Sequence, residues 1–280
     1  MVGRLSPILG SALSLALYSD LISGFVWIAG GGVVGNVTLQ RADYSGNRWR
    51  ISNVAVKKEF RRQGIARGLM MAALEEIELR GGGWAVLQVR TDNSVGRDLY
   101  RALGFSDVCQ EGVWKLPLVP SQLPTPSDTV ALQPLSGFAG RARLDLDRAA
   151  QTALAQWAEP IVAANYRTSL ASVFMEGLSR FTDIRPLRRW GAWQDGRLDG
   201  QLEVRRGGVS HNLRFAVRPE ARGKLEETLV SHGLRSLSDA PARSVVVKHS
   251  ADHAEGVEAL ERFGFRASRI LLTMRRRFAE

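Results

Sequence analysis

Apolar residues recur along the 280-residue chain with two alternating periods. Residues 25–28 and 33–40 are rich in β-branched and aromatic side chains around the Gly30-Gly31-Gly32 turn, which predicts a two-stranded hairpin. Residues 49–56 predict a third strand. From Gly64 to Arg80 the period changes. Leu69, Met70, Ala73, Leu74 and Ile77 follow the 3-4 spacing of one buried helix face, and Gly81, Gly82 and Gly83 stop the helix. Residues 84–89 are nearly all apolar, as in a strand buried on both faces. Residues 95–103 predict a short helix closed by Gly104, and a last strand follows near residues 113–116. This order (hairpin, strand, helix, strand, helix, strand) predicts an α/β fold with a mixed α+β sheet, not a doubly wound one.

The second half repeats the pattern. Residues 189–193 and 198–204 predict a hairpin around Asp195-Gly196, followed by a strand at 213–217 and a helix at 225–237. A strand at 244–248, a helix at 255–263 and a strand at 270–275 complete it. Helices are also expected at 141–157 and 161–178, with an opening strand at 130–132 that the first half lacks. The two halves share residues in register. Leu103-Gly104-Phe105 matches Phe263-Gly264-Phe265, Gly96 matches Gly256, and Asp92 matches Asp252, all 160 positions apart. Upstream, Ala55-Val56 matches Ala216-Val217, and Gly35 matches Gly200. Such an ordered series with a drifting offset predicts a tandem duplication with loop insertions. Prolines at 117, 120, 124 and 126 predict an extended connector, since they fit neither helices nor central strands. The expected domains are therefore 1–118 and 128–280, joined by a Pro-rich linker at 119–127.

Composition narrows the setting. Residues 5–17 form an apolar stretch after Arg4, but it is too short to span a bilayer and Asp20 follows. An amphipathic or buried helix at 7–22 is expected instead of a leader or membrane anchor. Cys109 stands alone, so no intrachain disulfide forms, which favours a reducing, cytoplasmic location. The net charge of +10 divides into +4 up to Pro126 and +6 beyond it, with no basic tail. That balance suits an anionic ligand. No nucleic-acid motif accompanies it, and no nucleic-acid partner is expected. The four histidines, His211, His232, His249 and His253, lack metal-ligand spacing and read as surface or structural residues, with no metal site expected.

The chemistry concentrates in two segments. In the first, the strand ending Val54-Ala55-Val56 turns through Arg61-Arg62-Gln63-Gly64-Ile65-Ala66-Arg67 into a helix. Gly64 permits backbone geometry closed to other residues. A helix start offers unpaired N–H groups and the positive end of the macrodipole, so a pyrophosphate fits there, with Arg61, Arg62 and Arg67 beside it. This segment resembles the acetyl-CoA-binding motif of the GNAT-type N-acetyltransferases, with Arg61, Gly64 and Ala66 at the motif positions. The second segment, Asn93, Gly96, Leu99-Tyr100 and Leu103-Gly104-Phe105, is similar to that family's Asn-x-x-Ala-x-x-Leu-Tyr element, with Gly96 in place of alanine.

The resemblance implies two tandem GNAT-like domains and acetyl-CoA as cosubstrate. It implies backbone groups of Val54, Ala55 and Val56 on the pantetheine arm, where the strand splays from its neighbour and free N–H groups polarise the thioester carbonyl. It also implies Asn93 against CoA and Tyr100 as the general acid that protonates the departing thiolate. An unidentified amine would attack the thioester directly. The strand at 49–56 contains no carboxylate to serve as base. Taken singly, Arg61-Arg62 reads equally as a solvated pair, Tyr100 as a core aromatic and Asn93 as a helix cap. The alternative function is a non-catalytic acyl-CoA-binding or sensing module. Either a monomer or a homodimer is expected.

The second half departs from the motif. Arg222-Gly223-Lys224-Leu225-Glu226-Glu227 replaces the loop, with Leu225 set against Gly64. Leu260 stands for Tyr100 and His253 for Asn93. One acetyl-CoA site per chain, in the first half, is the expectation.

Overall fold

A computed structural model describes residues 2–4, 22–42, 47–166 and 187–278. Residues 7–21 of the expected helix at 7–22, whose last residue Ile22 instead opens a strand, and the expected helix at 161–178 beyond Tyr166 lie outside the described residues. The architecture is a mixed α/β fold whose chain divides into two compact units. Unit 1 holds 1–108 together with 272–280, and unit 2 holds 109–271.

In unit 1 the strands β1 (Val2–Arg4), β2 (Ile22–Ala29), β3 (Gly32–Arg41), β4 (Arg48–Val56) and β5 (Trp84–Arg90) lie side by side in that order. The first four are antiparallel neighbours, and β4 and β5 run parallel. The expectation that the first half lacks an opening strand is corrected by β1, which pairs Val2–Arg4 with Trp27–Phe25. Helix α1 (Ile65–Leu79) packs Ile65, Leu69, Met70, Ala73 and Ile77 onto Val37, Leu39, Trp49 and Ile51. Helix α2 (Ser94–Ala102) follows β5. Nonpolar burial of this kind supplies most of the stability of such a core.

Unit 2 contains most of β6 (Ser106–Leu116), then β7 (Gln133–Pro134), α3 (Gly140–Ala150) and α4 (Ala153–Ala158). It continues with β8 (Leu187–Gln194), β9 (Arg197–Arg205), β10 (His211–Val217), α5 (Glu226–Arg235), β11 (Val245–Ser250) and α6 (Ala254–Arg262). Its strand order is β6-β11-β10-β9-β8-β7, with β10 and β11 parallel. The expected strand at 130–132 is irregular, and the chain first pairs at Gln133–Pro134. The single helix expected at 141–157 is two, because Thr152 leaves helical geometry (ψ 154°) and caps α4 through a bond from the Ala155 N–H. The part of the expected helix at 161–178 that is described holds only a 3₁₀ turn, Ala163–Tyr166.

The division cuts the terminal strands, not the Pro-rich segment. Strand β12 (Arg266–Arg277) is shared: Leu272 and Met274 belong to the core of unit 1, and the Phe278 N–H bonds the Gly83 carbonyl. The Pro-rich segment is fastened to unit 2. Arg262 donates to Ser127 Oγ at 2.8 Å and to the Thr125 carbonyl at 3.0 Å, and Glu227 accepts from the Ser127 N–H at 2.7 Å.

Candidate active site

In unit 1 the site grows from the C-terminal ends of β4 and β5. These strands pair from Arg48↔Trp84 to Ile51↔Leu87. Beyond Ile51, β4 stays paired with β3, as Ser52↔Thr38, Ala55↔Asn36 and Val56↔Gly35, while β5 runs on to Arg90. Crevices of this kind, outside the carboxyl ends of parallel strands, are where ligands seat in α/β sheets.

The divergence coincides with a β-bulge. The β3–β4 register shifts between Asn36 and Thr38, and Asn53 takes a positive φ of 52°. Asparagine is one of the few side chains that tolerates this geometry. The bulge moves the side-chain phase by one residue. Trp49 and Ile51 face the core before it, and Val54 and Val56 pack against the same core after it. Two side chains hold it from β3: Asn36 Nδ2 donates to the Asn53 carbonyl at 2.6 Å, and Asn53 Nδ2 donates to Thr38 Oγ1 at 3.4 Å. The broken alternation of Trp49, Ile51, Val54 and Val56 is the sequence signal that could have located the bulge.

The turn after β4 leads into α1 through Arg61, Arg62, Gln63 and Gly64, all exposed. Arg61 Nε donates to the Val56 carbonyl at 3.1 Å, which ties the loop to the strand end and occupies that carbonyl. Gln63 Nε2 reaches the Glu59 carbonyl at 3.5 Å. Gly64 caps α1 in the left-handed region (φ 78°), and nothing lies within 4 Å of where its Cβ would stand. Arg62 is also left-handed, with φ 63°. The first turn of α1 carries no acidic residue, Ala66 is half-buried and Arg67 is exposed. An open, positively charged helix start results. Ile65 is buried and anchors that start by packing against Gly35, where a Cβ would lie 3.2 Å from Ile65 Cγ2.

Helix α2 starts at the end of the neighbouring parallel strand, so its N-terminus and that of α1 share one edge of the sheet. Asn93 caps it, with Oδ1 accepting from the Gly96 N–H at 3.0 Å. A Cβ at Gly96 would stand 2.6 Å from Asn93 Nδ2, so the glycine leaves room for the capping amide. Leu99 packs on the core. Tyr100 is buried in that core, its ring 6.0 Å from Phe105, and burial pushes its phenol above the ordinary value near 10. The hydroxyl is therefore protonated at neutral pH.

Unit 2 has the same local frame around a different content. The Arg61 N–H bonds the Lys58 carbonyl, and the Arg222 N–H bonds the Pro219 carbonyl. Leu225 packs against Gly200 as Ile65 packs against Gly35. By this packing Leu225 stands for Ile65, while as the N-cap residue of its helix it holds the place of Gly64, as the sequence register has it. Gly223 and Lys224 alone separate Arg222 from Leu225, where Arg62, Gln63 and Gly64 separate Arg61 from Ile65. The loop is one residue shorter, and Glu226 takes the place of Ala66.

Glu226 is 2% exposed. Its Oε2 accepts from the Leu225 N–H at 3.2 Å, and its Oε1 lies 2.9 Å from Nε2 of His253, the cap residue of α6. His253 Nδ1 in turn meets His249 Nε2 at 2.9 Å, and the Phe215 ring stacks 4.2 Å from His249. Burial foremost, then the neighbouring His253, holds His249 down to about 3. His211, His249 and His253 are buried, so of the two expected readings, surface or structural, these three take the structural one. A second buried network joins Asp147 to Gln201, Arg214 and Tyr166, and burial together with Asp147 pushes the Tyr166 phenol up to about 12. Each network is closed by a contact between residues far apart in sequence, Glu226 with His253 and Asp147 with Gln201 and Arg214, which no local spacing announces.

Among known proteins, residues 23–107 match the family described as acetyltransferase (GNAT) domain. This segment of the chain is thus similar to GNAT acetyltransferase domains. A ribosomal protein bS18-alanine N-acetyltransferase of Escherichia coli K12 is 38% identical over 55 residues, which are 20% of this chain and 37% of that protein. N-alpha-acetyltransferase 30 of Schizosaccharomyces pombe is 40% identical over 58 residues, 21% of this chain and 39% of its own length. The chain thus spans little more than a third of the curated relatives it matches. Across the whole fold, a tandem GNAT protein from the clavulanic acid biosynthesis pathway superposes with a TM-score of 0.55 at 19% identity, covering 92% of this chain and 83% of that one. A GCN5-related N-acetyltransferase from Sphaerobacter thermophilus gives 0.59 at 15% identity, covering 95% and 84%. Among the described residues, no helix is long and apolar enough to cross a membrane.

Proposed function

We propose that this chain is an acetyl-CoA-dependent N-acetyltransferase with one working site, in unit 1, and that unit 2 is a degenerate copy of the same domain. The observation that carries the reading is the junction of β4 with α1. There a strand that has left its parallel neighbour turns through an arginine-rich loop to a left-handed glycine over open space. The pyrophosphate of CoA lies on the N–H groups of residues 63–67, with Arg61, Arg62 and Arg67 supplying charge. The pantetheine arm follows β4 along Val54, Ala55 and Val56, and Asn93, Gly96 and Leu99 flank it from α2.

The reaction is direct transfer. An amine attacks the thioester carbonyl, a β4 N–H stabilises the oxyanion, the carbon–sulfur bond breaks, and Tyr100 gives its proton to the thiolate; the proton shed by the attacking nitrogen passes to water, and water returns one to the Tyr100 phenolate. The protein orients and polarises the reactants without a covalent intermediate. The acceptor is a primary amine. Two relatives are named for bS18-alanine and N-alpha acetylation, so peptides with a free α-amino group lead the panel. An acetyl-CoA-consumption screen over peptides, amino acids, amino sugars and polyamines tests the activity. Turnover with at least one class is expected. Tight acetyl-CoA binding without turnover on any amine would convert the reading to a sensing module.

A further inference from the structure

We infer that Asn36 is a positioning residue for the oxyanion donor, aiming the Val54 N–H into the gap between β4 and β5. This inference rests on the acetyltransferase reading of unit 1. A trans peptide is planar, and its C=O and N–H point in opposite directions. The Asn53 carbonyl is drawn to Asn36 Nδ2 of β3 at 2.6 Å. The N–H of the same peptide plane belongs to Val54, so it points away from β3, toward the side on which β5 has stopped pairing after Leu87.

The bulge gives this orientation its necessity. With Asn53 at φ 52°, the chain has left ordinary strand geometry, and the ladder to β3 shifts there. A backbone held in a sparsely populated region persists where its surroundings fix it. Here the fixing groups are side chains: Asn36 on the carbonyl, and Thr38 on the Asn53 amide at 3.4 Å. Asn36 is half-buried on the sheet face opposite α1, while Gly35 and Val37 face the helix. It therefore acts from behind the strand without touching the reactants, and its loss frees the peptide to rotate while leaving the phosphate loop in place.

The test uses the intact chain, acetyl-CoA labelled with ¹³C at the thioester carbonyl, and the variants Asn36→Leu and Asn36→Asp. Difference infrared spectroscopy reads the polarisation of the bound carbonyl, and calorimetry reads affinity. In the wild type the carbonyl stretch should fall to lower wavenumber on binding. In both variants, shown to be folded by their melting curves, it should return toward the free value while Kd stays within about twofold. With a working amine, kcat should drop at least about tenfold at unchanged KM for acetyl-CoA, part of the 10²–10³ typical of a lost oxyanion donor. An equal wavenumber shift in the variants, or affinity and polarisation falling together, would overturn the positioning role. Failure of the wild type to bind acetyl-CoA at all would instead remove the reading of the site, and the inference with it.

Discussion

At the start of α1 the chain leaves a glycine over open space. At the start of α5 a frame built from the same contacts is closed by a carboxylate. The frames agree closely. Phe105 and Phe265 each bond back to the residue five before, Tyr100 and Leu260, and Gly104 and Gly264 take φ of 82° and 86°. What differs is one residue of loop length and the residue after the anchor, Ala66 against Glu226. A helix start attracts negative charge whatever its source. On the proposed reading, unit 1 leaves that attraction for an anion from solution, whereas the Glu226 carboxylate of unit 2 already accepts from the Leu225 N–H. The comparison teaches that similar local frames can carry different chemistry, so that function is argued from the side chains at the site and not from the frame.

The difference can be broken from either side. The largest effect is expected for Gly64→Glu, which brings a carboxylate to the open start of α1, at the cap residue itself. Repulsion from pyrophosphate at short range is worth about 1–4 kcal/mol per charge pair, so calorimetry should show acetyl-CoA affinity reduced at least about a hundredfold in a folded protein. Unchanged affinity would place the cofactor elsewhere. Tyr100→Phe, which moves α2 toward the Leu260 state of unit 2, should lower kcat by about 10²–10⁴ and leave acetyl-CoA affinity intact. Should kcat hold with chemistry rate-limiting, Tyr100 is a core aromatic only.

A smaller effect is expected in the closed unit. Glu226→Ala leaves the Leu225 N–H and the His253 ring buried without their acceptor, which costs about 1–3 kcal/mol. Urea titration should show the loss, and a stability equal to wild type would mean that water replaces the carboxylate freely. The pH profile sharpens the same point. His249 sits at about 3 when folded, against about 6.5 in an unfolded chain. Between those values the unfolded state binds more protons. The stabilisation is therefore full above pH 6.5 and is lost as pH falls from there toward 3, at up to about 1.4 kcal/mol per pH unit. His249→Phe should flatten that limb of the stability curve, and an unaltered slope would assign it to other groups.

Much of this contrast was legible in the sequence. The 3-4 spacing of Leu69, Met70, Ala73 and Ile77 marked α1, and Gly64 with its arginines marked the open helix start. The rest followed forces without a local period. Strand β1 has three residues, too few to show alternation. Nothing in β12 tells that Leu272 and Met274 join the core of unit 1, because strand partners are chosen over long range. The place of Leu225 was legible only in part. Its position as helix cap matches Gly64, as the motif register has it, whereas its packing against Gly200, which matches it to Ile65, depends on a contact between distant residues. The Glu226–His253–His249 chain depends on a helix start, a helix cap and a strand meeting, and each of those residues read alone is ordinary.

The central claim is that one unit of the two receives the cofactor. Titration calorimetry of the intact chain with acetyl-CoA tests it directly, repeated on Gly64→Glu. The account predicts one acetyl-CoA per chain for the wild type and no binding for the variant. Two per chain, or tight binding that survives Gly64→Glu, would contradict it.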